Sequence, residues 1–229
     1  MKISIDAPNP TRWCPIVICL FAVVLVGAFP AIGLSQTKEP PQTFKLLVNG
    51  QAHEIEARKA LQLELTGSTK IELIPNPNRK FKYGGLEITY PNSYAFEAEL
   101  DADTYNWNLD GSNVVIMVFA FPDETLGHKL FAESIGTNFE KSEYKAILNT
   151  FGTGDQATTL KGTLINATIA SQKLTQEVFE IPTDAGTRFL IVQDSLNDFG
   201  KHTQECRNTM TLLRRDFKIT GTEVLSNLH

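Results

Sequence analysis

Eight consecutive apolar residues, Val114 to Phe121, set the tightest limit on how this chain can fold. A run of that length with no polar break reads as a β-strand covered on both faces, since a strand with one wet face would alternate. Pro122-Asp123 ends the run. Behind it, Leu126, Leu130, Phe131, Ile135 and Phe139 make an apolar stripe at helical spacing, with Asp123 placed to cap the first amides. A second continuous run, Phe189 to Val192, is followed by Phe199, Cys206, Met210, Leu213 and Phe217 at spacings of one helical face. That stripe predicts a helix from about Gly200 to Phe217. Asp198 stands at its start and Arg214-Arg215 near its end, the charge order a helix dipole favours. The two apolar runs are expected to be neighbours in one antiparallel layer roofed by this helix.

The remaining strand signals are short and joined by tight turns, with no βαβ pattern. Phe44, Leu46 and Val48 alternate up to Asn49-Gly50, a strong hairpin signal, and His53, Ile55 and Ala57 alternate after it. Leu61, Leu63 and Leu65 repeat the period of two, as do Ile71 and Leu73. Further on, Leu86, Ile88 and Tyr90 alternate, then Tyr94, Phe96, Ala98 and Leu100, each set with a wet opposite face. Tyr144, Ile147, Leu148 and Phe151 are read as a short helix or turn. The expected fold class is α+β: a mainly antiparallel β-sheet covered by helices, with extra short N-terminal strands. The expected divisions are a linker at 36–43, a β-meander at 44–78 docked on the rest, a main domain at 79–220 and a tail at 221–229.

Residues 1–35 carry Lys2 and Arg12 ahead of an apolar stretch, Ile16 to Phe29, and no charge after Arg12 until Lys38. Two readings stand side by side. One is a signal peptide cleaved after its small-residue exit near Ala31 to Ser35. The other is a retained transmembrane helix over residues 14–34, long enough for roughly 30 Å of hydrocarbon. Both place the folded domain outside the cytoplasm, either membrane-anchored or secreted. The expected partner is another protein at or outside the membrane. A formal net charge of −5 gives no diffuse attraction for phosphate backbones, so nucleic acid is not expected. Cys206 is the only cysteine beyond the apolar stretch, so no disulfide inside the domain can staple it.

Phe81-Lys82-Tyr83-Gly84-Gly85-Leu86-Glu87-Ile88-Thr89-Tyr90-Pro91 resembles the opening strand of the Mog1/PsbP-like superfamily. The strand Val114 to Phe121 followed by a helix is similar too. So is the close, Gly186 to Asp194 and a helix ending in Asp216-Phe217-Lys218-Ile219. The resemblance spans about residues 81–219. It implies an antiparallel sheet between helices, and members that act mostly by binding other proteins. It carries over no functional residue.

Asp198, His202 and Cys206 are spaced four apart and combine a carboxylate, an imidazole and a thiol. Those groups can make a nucleophile with its base and orienter, or part of a metal site. The plainer reading places Cys206 on the apolar stripe with His202 at its edge. Tyr105 and Trp107 offer aromatic surface to a peptide or sugar, against a period-two spacing that favours core packing. Glu97, Glu99, Asp101, Asp103 and Asp110 could hold a hard cation, although their spacing fits no calcium loop. His53 and His128 have no ligand spacing with their neighbours. No cofactor and no catalytic set are assigned. The expected function is a non-enzymatic, extracytoplasmic protein-binding or accessory domain. The alternatives are an enzyme with a site assembled from distant polar residues, or a small-ligand or cation-binding domain.

Overall fold

The computed structural model describes residues 37–63, 68–101, 104–122, 124–184 and 186–220. They fall into two compact units, one over Gln42–Pro75 and one made of residues 37–41 with the chain from Asn76 onward. In the first unit, β1 (Thr43–Val48) and β2 (Gln51–Glu56) form an antiparallel hairpin, and β3 (Ile71–Pro75) pairs with the other edge of β1. The turn is the expected Asn49-Gly50, whose φ angles of 49° and 84° are what a two-residue primed turn requires. Leu46, Val48 and Ile55 form the core, with Leu61 and Leu63 packed against them. The strand expected from Leu61 onward is not formed over residues 61–63 beyond one bridge at Gln62. Leu61 and Leu63 already reach the core from irregular backbone, so ladder pairing is not needed to bury them.

The second unit contains, in chain order, β4 (Asn78–Phe81), β5 (Leu86–Pro91), β6 (Ala95–Leu100), β7 (Tyr105–Asp110), β8 (Val114–Phe121), α1 (His128–Gly136) and β9 (Lys141–Phe151). There follow β10 (Thr158–Ile169), β11 (Gln172–Ile181), β12 (Thr187–Ser195), α2 (Gln204–Asp216) and β13 (Lys218–Ile219). Seven strands make one antiparallel sheet in the order β6-β7-β8-β12-β11-β10-β9. β8 and β12, the two apolar runs, are direct neighbours, with Ile191 opposite Met117 and Leu190 opposite Val118. The fold is therefore mixed α+β with a mainly antiparallel sheet and two α-helices among the described residues.

Period-two alternation divides β8 between two cores. Val114, Ile116, Val118 and Ala120 face the α2 side with Leu190, Val192, Met210, Leu213 and Phe217, while Met117, Phe119 and Phe121 face α1 through Phe131. Each fully buried Leu, Met or Phe of this kind contributes roughly 1.5–3 kcal/mol. β5 does not join the main sheet. It pairs with β4 and β13 in a separate three-stranded sheet, and Leu86, Ile88 and Tyr90 enter the α2-side core. Its opposite face is not wet either, because Thr89 is buried too.

Four sequence expectations change here. α1 begins at His128 behind Gly127, which provides no side-chain cap, and Leu130 is exposed because Phe131 takes the core position. Residues 141–151 are a strand and neither a helix nor a turn, since pairing with β10 over all eleven residues outweighs their helix-like spacing. α2 begins at Gln204, with Thr203 as N-cap, so Phe199 lies before the helix and is 86% exposed. The membrane-spanning helix is corrected as well. No helix among the described residues is long and apolar enough to cross a membrane. α1 and α2, at 9 and 13 residues, reach only about 14 and 20 Å at 1.5 Å per residue, short of a bilayer core. Residues 14–34, where that helix was expected, lie outside the described residues, and the expected membrane anchor and partner at the membrane find no support in any described helix.

Candidate metal centre

β12 delivers the carboxylate that organises this site. The inward parity that buries Leu190 and Val192 continues to Asp194, whose side chain is 1% exposed. A buried carboxylate requires donors, and the segment leading into α2 supplies them. Asp194 Oδ2 accepts from the Thr203 N–H (3.1 Å) and from His202 Nδ1 (2.8 Å), and Oδ1 accepts from Thr203 Oγ1 (2.7 Å). Thr203 Oγ1 in turn accepts the Cys206 N–H (3.1 Å), the side-chain bond of an N-cap. Cys206 is buried on the first turn, and its Sγ lies 3.7 Å from His202 Nδ1.

Asp194, His202 and Cys206 thus bring one ligand atom each to within 4.8 Å of one another. The His202 side chain is 46% exposed, which opens the cluster to solvent on one side. Burial first, and then the Asp194 charge, push the Cys206 thiol up to about 12; Glu177 adds to this and Arg207 opposes it. Glu177, on β11, is itself raised by burial, against Arg214, His202 and a hydrogen bond from Asn149 Nδ2 (3.0 Å). Two carboxyl groups, Asp194 and Glu177, therefore act on the thiol in the same direction, against Arg207.

The arrangement is not that of a nucleophile with a relay. In a relay the imidazole uses one nitrogen for the nucleophile and the other for the carboxylate. Here Asp194 and Cys206 approach the same nitrogen, Nδ1, and the thiol holds its proton far above neutral pH. Three ligand-type atoms within 4.8 Å of one another are instead compatible with holding a metal ion.

Of the residues singled out from sequence, His202 and Cys206 come together and Asp198 does not. Asp198 is exposed in the turn before α2, and its expected place on the helix is lost because the helix starts six residues later. Asp194 takes the carboxylate role; its signal was the continued alternation from Leu190 and Val192. Tyr105 and Trp107 are buried core residues, with Trp107 packed by Phe81, Tyr83 and Tyr105, so they present no ligand surface. Glu97 and Glu99 lie exposed on β6, Asp103 is outside the described residues, and Asp110 is raised chiefly by burial and then by Glu97. His53 stays in β2. His128, at the start of α1, bonds through Nδ1 to Thr163 Oγ1 (2.9 Å). A separate polar cavity of about 360 Å3 beside β5 and the end of α2 is lined by two ion pairs, Lys80 with Glu87 and Arg215 with Asp216, together with Lys218.

No protein-family model matches this chain, and no curated protein matches it in sequence.

Proposed function

We propose that this chain is a binding domain, without catalysis of its own, that takes a borderline-soft divalent cation such as Zn2+ at Asp194, His202 and Cys206. One observation carries the reading: carboxylate, imidazole nitrogen and thiol sulfur lie within 4.8 Å of one another with one side open to water. Oxygen, nitrogen and sulfur donors together suit zinc or cobalt better than magnesium or calcium. An ion needs the Asp194–His202 contact to open by about 0.5 Å, so that both atoms reach it at about 2.0–2.2 Å. The Nδ1 proton moves to Nε2 and the thiol proton leaves to solvent. Water or an external donor takes the fourth position, and a closed four-residue structural site is not implied.

Cobalt titration of the full chain, on a background in which Cys14 and Cys19 are replaced by Ser, tests this. The expected result is one equivalent bound, with a sulfur-to-cobalt charge-transfer band that Cys206→Ala and His202→Ala abolish. Apparent affinity should rise about tenfold per pH unit, because one thiol proton is released. Absence of stoichiometric binding at mildly alkaline pH would remove the proposal, and so would a band that survives Cys206→Ala.

The Mog1/PsbP-like build belongs to the same reading. What supports it is a sheet with α1 on one face, and α2 directly after the last long strand on the other. An accessory protein-binding role is the second reading. It is favoured by one open sheet edge that carries exposed Tyr144 and Leu148.

A further inference from the structure

β9 ends the seven-stranded sheet and pairs only with β10, in an unbroken register from Lys141–Thr168 to Phe151–Thr158. Its other side faces no strand among the described residues. Edge strands are normally kept short, bulged, interrupted by proline or guarded by charge, because an open ladder recruits another strand. The opposite edge, β6, follows that practice: it has six residues, with Glu97 and Glu99 exposed. β9 has eleven residues, no proline and no bulge. Its charges, Lys141, Glu143 and Lys145, lie in the first half, and none occurs from Ala146 to Phe151. On one face Tyr144 is 42% and Leu148 is 67% exposed.

We propose that β9 pairs antiparallel with β9 of a second copy, across a two-fold axis through Ala146, so that the two sheets become one. A two-fold axis perpendicular to the sheet keeps each face on its own side, so odd residues oppose odd and even oppose even. With the axis at Ala146 all eleven residues find partners. Tyr144 then opposes Leu148 twice, forming a four-residue apolar strip from side chains that are exposed in the single chain. Glu143 meets Asn149 and Lys145 meets Ile147, so no like charges are directly opposed. An axis at Lys145 sets that lysine against itself. An axis at Ile147 leaves Lys141 and Ser142 unpaired, and one at Tyr144 leaves Leu148 opposite Glu140, beyond the strand. The sequence of the edge is complementary to itself in one register, and that selects a second copy over an unrelated strand.

Sedimentation velocity of the full chain over a concentration series, with a chelator present to exclude metal-driven association, reads the oligomeric state. The expected result is a monomer–dimer equilibrium that Leu148→Lys weakens at least tenfold, with thermal unfolding of the variant monomer unchanged. Ala146→Cys should form an intermolecular disulfide under mild oxidation, because directly opposed residues lie about 4.5–5.5 Å apart at Cα. Thr150→Cys, opposite Ser142, should not crosslink to itself. A chain that stays monomeric throughout overturns the proposal, as does a dimer indifferent to Leu148→Lys or one crosslinked through Thr150→Cys and not Ala146→Cys.

Discussion

The two helices of the larger unit start from nearly the same parts and use them differently. At the start of α1, Glu180 Oε2 accepts the His128 N–H (3.0 Å), the His128 ring bonds to Thr163, and Thr187 Oγ1 accepts the Leu126 N–H (2.8 Å). At the start of α2, a strand carboxylate again accepts a backbone N–H near the helix start, and a histidine and a threonine again stand beside it. At α1 each polar group has its own partner, so the result is an anchor. At α2 the carboxylate and a thiol share one imidazole nitrogen. A collection of polar residues is thus not a site in itself; convergence of their donor atoms makes one.

The largest expected difference between the two ends is in stability. Asp194→Ala removes the buried acceptor shared by the Thr203 N–H, the Thr203 hydroxyl and His202 Nδ1, and should cost about 3 kcal/mol in urea unfolding. Glu180→Ala removes one amide acceptor and should cost about 1 kcal/mol. Equal losses would mean that the α2 start is an anchor of the same kind. pH gives the next difference. Folding holds the Cys206 proton up to about 12, whereas the unfolded chain loses it near 9. The folded state then binds more protons than the unfolded state, so the stability from this group is intact below pH 9 and falls as pH rises toward 12. The slope approaches roughly 1.4 kcal/mol per pH unit. Tyr90, also raised to about 12, acts in the same direction from higher pH, so the pH 9–10 window isolates the thiol. Cys206→Ala should flatten that window in denaturant melts, and no change on substitution would deny the buried thiol this role.

Smaller effects sharpen the contrast. Thr203→Ala removes the only side-chain cap of α2 and should cost about 1 kcal/mol. Gly127→Ser, at an α1 N-cap with extended backbone and open space around a built Cβ, should gain a few tenths of a kcal/mol in thermal unfolding. Destabilisation by Gly127→Ser would show that the α1 start requires the bare glycine.

Much of the frame was legible in the sequence. The runs at Val114 and Phe189 and the stripe Cys206, Met210, Leu213 and Phe217 identified a strand pair and its covering helix, because burial leaves periodic marks. Strand β9 was not legible. Tyr144, Ile147, Leu148 and Phe151 have helical spacing, and only pairing with β10 reveals that Ile147 and Phe151 point inward while Leu148 points outward. The site was half legible. His202 and Cys206 lie close in sequence, but placing the helix start near Gly200 favoured Asp198. Asp194 becomes visible only when the strand and the capping turn are brought together, a tertiary event that no local spacing encodes.

Glu205, on the first turn of α2, extends past the capping turn to the β7–β8 hairpin. Its carboxylate accepts the Ser112 and Asn113 N–H groups (2.9 Å each), and the turn at Gly111 comes so close that a Cβ there would lie 2.1 Å from Glu205 Oε1. The capping residues are therefore coupled mechanically to a loop about ninety positions earlier in the chain. Tightening or loosening of that first turn should register as slower or faster amide exchange at Ser112 and Asn113.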